Sequence, residues 1–232
     1  MMPDLDAAKF DLLVGAVVAL DPQPRERRWV SLSLCIADAV WSIGAHYDNV
    51  VVPLVRKLAA NFGVEQPTVP ISEPLGTDPL PLAVLADLSV EDLIPLTNRQ
   101  NTSTRGGIRK ADAWLRHVHA FRAHGVGDLG DAIGLFGDEE RFDAVNADLR
   151  KIPGEGAHAV RRDYLWMLIG QDDLIKPDRM VLRWLKNHGV TVDPVGARDL
   201  IAALVPAVST RLKRPVTAWE MDHALWNAGR GM

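Results

Sequence analysis

Apolar residues recur at helical spacing along most of the chain, and the predicted elements follow from that period. Ala7 to Leu20 reads as a first helix, stopped by Asp21-Pro22-Gln23-Pro24. Trp29 to Trp41 reads as a second, apolar on nearly every side and therefore buried. The pattern resumes from Asp48 to Phe62, with Pro53 in the first turn and Gly63 as the stop. Five prolines between Gln66 and Leu82 predict an extended connector or surface loop. Ser89 opens a capped helix, with Asp92 in its first turn. A polar loop, Asn98 to Gly107, leads to an amphipathic helix over Lys110 to Ala123. Further helices are predicted over 138–149, 157–169, 178–187, 195–205 and 217–226. Alternating strand patterns of useful length are nearly absent, so the fold class is all-α.

Composition narrows the class. The chain has 232 residues, 47% hydrophobic and 24% charged, which excludes global disorder and low complexity. Seven Trp against two Tyr suggest buried aromatic anchors. The single Cys35 excludes an internal disulfide and a four-cysteine zinc or iron–sulfur site within one chain. No apolar stretch reaches the roughly 20 residues that span a bilayer, and Met1 to Asp6 lacks a secretory pattern, so no membrane partner and a cytoplasmic address are expected. Net charge is −4, against the basic balance usual for nonspecific nucleic-acid coating. The distribution is uneven, however. Arg99, Arg105, Arg109, Lys110, Arg116 and Arg122 face only Asp112 between positions 99 and 124. Arg150, Lys151, Arg161 and Arg162 face only Glu155 between 150 and 162. Such runs are usually solvated faces, but these two flank an unusual turn.

That turn is Lys151-Ile152-Pro153-Gly154-Glu155-Gly156-Ala157-His158. A helix ends at Arg150, and a second is expected to start at once. Its first amides lack internal acceptors and would point outward at the positive end of a helix dipole, a phosphate site that reads no base.

The segment resembles the helix-hairpin-helix motif, and its continuation resembles the base-excision DNA glycosylases of the endonuclease III and alkyladenine glycosylase superfamily. Those proteins enter a later helix through a Val-Asp-Thr-His-Val-x-Arg type sequence. Here Pro177-Asp178-Arg179-Met180-Val181-Leu182-Arg183 matches at Asp178, Val181 and Arg183, and Asp178 lies 20 residues after His158. Gly107-Ile108-Arg109-Lys110-Ala111 is similar to the family's Gly-x-x-Lys-Ala, and Leu32 to Leu58 resembles its early buried helix and following turn. The resemblance covers about residues 28–190. It implies one helix-hairpin-helix glycosylase-like unit over 1–232 with a cleft between two helical lobes, and with helices over 194–228 packed on it.

The resemblance implies a monofunctional DNA N-glycosylase acting on a damaged or modified base in double-stranded DNA, with Asp178 as the catalytic carboxylate. A carboxylate beneath the sugar stabilises the positive charge that grows as the base departs, and it orients the attacking water. Asp178 is equally placed to be an N-cap, and the two roles are compatible. Bifunctional members carry a Schiff-base lysine where this chain has His158, so only base removal by water is implied. By resemblance Lys151, Pro153, Gly154, Gly156 and His158 contact the DNA backbone, and Gln100 or Asn101 fills the gap left by an extruded base. His158 is as readily a solvent-facing residue that touches phosphate. Trp41, His46 and Tyr47 are candidates for the base pocket, although Trp41 continues a buried helix, which favours a core role. No cofactor is required. A monovalent cation, K+ or Na+, would sit on the main-chain carbonyls of Arg150, Ile152 and Glu155, by resemblance alone. Gly44 stands where the family commonly has glutamine, and Glu155 replaces a small apolar residue. These departures, with the acidic net charge, motivate a second reading: a non-catalytic DNA-binding or architectural protein. A third is a helical protein unrelated to DNA.

Overall fold

The computed structural model describes residues 6–154 and 157–232. The chain is predominantly helical. In order the elements are α1 (Ala7–Val18), β1 (Arg27–Trp29), α2 (Leu32–Trp41), α3 (Val52–Asn61), β2 (Thr68–Pro70), α4 (Val90–Leu93), α5 (Lys110–Ala123), α6 (Leu129–Gly134), α7 (Glu139–Leu149), α8 (Val160–Ile169), α9 (Arg179–Asn187), α10 (Pro194–Leu212) and α11 (Ala218–Arg230). Many start where a short polar side chain accepts an otherwise orphaned amide. Asp6, Ser31, Asp128, Asp138, Asp178, Asp193 and Thr217 do this for α1, α2, α6, α7, α9, α10 and α11. Ser89 and Asp92 form a reciprocal capping box on α4. Among the described residues no helix is long and apolar enough to cross a membrane.

Several elements differ from the sequence pattern for identifiable reasons. The helix expected from Trp29 begins at Leu32, because Arg27–Trp29 pairs antiparallel with Thr68–Pro70, Trp29 opposite Thr68. The proline-rich stretch therefore holds a strand. It is also anchored inside: Asp78 is 8% exposed, and its carboxylate accepts from the amides of Leu32 and Leu129 at 3.0 Å and of Leu80 at 2.8 Å. One carboxylate thus caps the starts of α2 and α6, the latter a helix with no counterpart in the sequence reading. Finally, α10 runs on through Pro206 to Leu212. Leu200, Ile201, Leu204 and Val208 are buried on one face, and that burial outweighs the backbone bond that proline removes.

The contacts divide the chain into two compact units. Residues 26–170 form one, with α2 at its centre: every residue from Leu32 to Trp41 is buried. It packs on α8, α5 and α3. Trp114 and Trp41 meet edge to face at 5.8 Å, and Trp114 Nε1 donates to the Ser33 carbonyl at 3.0 Å.

The other unit joins residues up to Arg25 with Gln171–Met232. Its core gathers Leu13, Val14 and Val17 of α1, Trp184 and Leu185 of α9, Leu204 of α10 and Met221 and Leu225 of α11. Helices α9 and α11 approach so closely at Gly229 that an added Cβ would lie 2.2 Å from the Met180 carbonyl oxygen. Backbone cannot yield as a flexible side chain would. Gly229→Ala is therefore expected to destabilise this unit by about 1–3 kcal/mol in urea denaturation, the range for overpacked sites, while Gly231→Ala, whose Cβ has its nearest neighbour at 3.7 Å, leaves the midpoint unchanged.

Candidate nucleic-acid interface and the Asp178 helix

The turn after α7 is built from short internal bonds and one close approach. The amides of Lys151 and Ile152 donate to the carbonyls of Asp148 and Leu149, both at 3.1 Å, so these two are satisfied internally. Lys151 Nζ reaches Asp148 Oδ1 at 2.6 Å, and His124 Nε2 lies 2.8 Å from Asp148 Oδ2. Lys151 and His124 hold the Asp148 carboxyl below the usual carboxylate range. Ile152 is buried, and its carbonyl accepts from Arg161 Nη2 at 3.4 Å. One of the carbonyls implied for a monovalent cation therefore already faces a guanidinium. Arg150 is exposed, while Glu155 and Gly156 lie outside the described residues.

Gly154 has φ +100°, and a Cβ there would sit 2.2 Å from Thr102 Cβ. Both the left-handed backbone and the absent side chain are required. Thr102 belongs to the polar loop before α5, so the Pro153–Gly154 turn is seated on that loop. The loop is itself cross-braced. The Thr102 amide donates to the Ile108 carbonyl at 2.8 Å, and Asn101 bridges Arg109 across it. Gln100 and Asn101 are exposed, but Gln100 Oε1 accepts from Lys110 Nζ and Asn101 Oδ1 from Arg109 Nη1, each at 3.1 Å.

Lys110 is only 1% exposed. Its ammonium also donates to the carbonyls of Trp41 at 3.0 Å and Ile43 at 2.7 Å, closing the C-terminal end of α2 where the helix dipole is negative. Burial pushes it down to about 8.

Beyond the turn, the second helix does not start at Ala157. His158 and Ala159 both have left-handed backbones, φ +69° and +58°, and α8 starts at Val160 without a side-chain cap. His158 is exposed. Holding two such side-chain-bearing residues left-handed costs roughly 1–2 kcal/mol each.

The base-pocket candidates separate. Trp41 is wholly buried, with Nε1 donating to Asn98 Oδ1 at 3.2 Å, so it is a core residue with no surface for a base. His46 is exposed at the start of the wide helical turn Tyr47–Val51. Tyr47 is half-buried and donates to Asp38 Oδ2 at 2.9 Å. Asp38 is fully buried and also accepts from Trp29 Nε1 at 2.9 Å and Tyr164 Oη at 3.0 Å. Burial, reinforced by the Asp38 charge, pushes both phenols upward. Sequence reasoning missed Asp38 and Tyr164. The available signal was an aspartate inside Cys35-Ile36-Ala37-Asp38-Ala39-Val40 in a chain with two tyrosines.

Asp178 belongs to the other unit. Its Oδ1 accepts from the amides of Met180 at 2.7 Å and Val181 at 3.4 Å, which makes it the N-cap of α9. Oδ2 lies 3.9 Å from Lys176 Nζ, and the Asp178 side chain is 23% exposed. Arg183, from the matched pattern, donates to the Gly229 carbonyl at 3.3 Å and so braces α11.

The chain belongs to the family described as Domain of unknown function (DUF8548), whose model matches residues 10–230. No curated protein and no solved structure matches it.

Helix α5 also carries a pH dependence. His117 on α5 is 2% exposed, its Nδ1 lies 2.6 Å from the Ala113 carbonyl, and burial together with the Arg161 guanidinium pushes it down to about 3. The folded state thus binds this proton more weakly than the unfolded chain, whose histidine titrates near 6.5. The stability is present above about pH 6.5 and is lost as pH falls from there toward 3, at about 1.4 kcal/mol per pH unit for one proton. In urea titrations across that window, His117→Gln is expected to flatten the slope by about one proton.

Proposed function

We propose that the protein binds double-stranded DNA through the Pro153–Gly154 turn and the adjoining polar loop, and removes a damaged or modified base by hydrolysis with Asp178 as the carboxylate. The observation that carries the binding half is the seating of Gly154 on Thr102, which joins the turn to a loop carrying exposed Arg99, Arg105 and Arg109. The hydrolytic half rests on the resemblance around Asp178 and on a carboxylate with one oxygen fixed by two amides and the other 3.9 Å from Lys176 Nζ. Orientation fixed before reaction is the condition under which such a charge is effective. His158 offers no Schiff-base amine, so the product is an abasic site. The reading assigns no step to a bound cation; a K+ or Na+ at the hairpin would share the Ile152 carbonyl with Arg161 Nη2, 3.4 Å away.

A second reading has its own support. Capping and the Lys176 contact account for Asp178 without chemistry, which fits a non-catalytic DNA-binding protein.

Two measurements separate the readings. Affinity for duplex DNA should fall with salt, and Arg99→Gln, Arg105→Gln and Arg150→Gln together should reduce the log–log slope by up to about 3, one per lost phosphate contact. On a panel of lesion duplexes Asp178→Asn should slow base release by on the order of 100-fold or more. Salt-sensitive binding with no abasic product on any lesion supports the second reading, and no binding at low salt rejects both.

A further inference from the structure

Helix α11 grips the segment that delivers Asp178 at several points. The Trp219 amide donates to the Asp172 carbonyl at 2.9 Å, near the start of that segment. Asp222 Oδ1 accepts from the Lys176 amide at 2.8 Å in its middle. Gly229 lies directly beneath the Met180 carbonyl just past its end. The Asp178 amide in turn donates to the Lys176 carbonyl at 2.7 Å. The Lys176 peptide is therefore held on one side by the Asp222 carboxyl and on the other by the residue that caps α9. Asp222 is 6% exposed, and an ionisable group so deeply buried is retained at a cost in desolvation.

We propose that Asp222 is a positioning residue for Asp178: its carboxyl fixes the backbone at Lys176, whose ammonium lies 3.9 Å from the outer oxygen of Asp178. The inference rests on the proposed function only in naming Asp178 as the reacting group.

The electrostatics agree with this geometry. Burial pushes Asp222 up to about 8, Asp178 acts in the same direction, and Lys176 opposes both. Of the segments packed on α11, the one before α9 supplies Lys176 and the start of α9 supplies Asp178; α1 and α10 contribute no charged group that shifts Asp222 among the described residues. At neutral pH Asp222 is thus a carboxylic acid, which accepts the Lys176 amide without competing for its ammonium. Above about 8 it ionises, and a second carboxylate then faces Asp178 and draws on the same lysine. Because the folded state holds this proton more tightly than the unfolded chain, its contribution to stability is full below about pH 3.8 and declines as pH rises toward 8.

The test is carboxyl and amide NMR of the full chain without DNA, comparing wild type, Asp222→Asn and Asp222→Ala from pH 6 to 9.5. The asparagine keeps the acceptor for the Lys176 amide and cannot ionise. In wild type the Asp178 carboxyl and Lys176 amide resonances are expected to share an inflection near pH 8. Asp222→Asn should abolish that inflection and keep the Lys176 amide at its neutral-pH position, while Asp222→Ala should displace that amide at every pH. Titration of Asp222 in the ordinary carboxylate range, or an inflection that survives Asp222→Asn, overturns the proposal. Should the alanine variant not fold, the asparagine comparison decides alone. These signals need no turnover. An inflection that behaves as expected in a protein inert on every lesion keeps the coupling and removes the glycosylase reading. Where base release is measurable, wild-type kcat should fall several-fold above pH 8 with KM unchanged, and Asp222→Asn should stay flat.

Discussion

Asp38 sits fully buried in the middle of α2, a helix with no exposed face, and the unit around it is arranged to satisfy that charge. Removing an ion from water costs several kcal/mol after relaxation, whereas hydrogen bonds to a charged group return about 1.5–3 kcal/mol each. Three donors converge on Asp38: the indole of Trp29 in β1, the phenol of Tyr47 in the turn before α3, and the phenol of Tyr164 in α8. Both tyrosines of the chain are used here. Burial and the Asp38 charge keep the phenols protonated, so they remain donors at any ordinary pH. The strand, the turn and the helix that follows the hairpin are thereby registered on α2 by a single carboxylate.

The ends of α2 obey the same rule. A helix buried at its termini still has orphan amides and carbonyls, and water cannot reach them. Asp78 from the proline-rich segment takes the Leu32 amide, while the hydroxyls of Ser31 and Ser33 donate to the Leu80 carbonyl at 2.9 and 2.7 Å. At the far end Lys110 donates to the carbonyls of Trp41 and Ile43 and to Gln100, all neutral acceptors. No carboxylate among these partners offsets the desolvation of that ammonium, and burial pushes its pKa down. The polar loop that carries Gln100 is thus tied to the helix core through Lys110 before it meets the hairpin at Thr102.

What could be read from the sequence divides along the same line between local and distant causes. Caps are local, so Ser89, Asp138, Asp178 and Thr217 were legible as helix starts. A three-residue strand is too short to declare a period, and the partner of Arg27–Trp29 lies among prolines. Continuation of α10 past Pro206 depends on a face buried by other helices, which proline chemistry alone argues against. The Pro153–Gly154 turn was legible as a turn, but its contact with Thr102 joins positions that no periodicity relates. Trp41 offered the same letter for a core residue and for a base-stacking one, and burial decided for the core. Asp38, Lys110 and Asp222 were hardest, because a buried charge looks like a surface charge until its donors or acceptors are located.

The start of α8 gathers three features that each lower stability. Two residues with side chains adopt left-handed backbones, the helix lacks a side-chain cap, and Arg161 and Arg162 occupy its first turn, where the dipole disfavours cations. Asp163 in the same turn offsets part of that charge. Sequences agree with their structures at most positions, and local violations tend to concentrate where function requires them. At a helix start the dipole favours an anion and disfavours a cation, which is the sense in which these arginines run against the local rule. Asp148, near the end of α7, is already engaged by Lys151 and His124. The proposed backbone contact rests instead on the seating of Gly154 on Thr102 beside the exposed Arg99, Arg105 and Arg109, and it does not depend on whether a base is later removed.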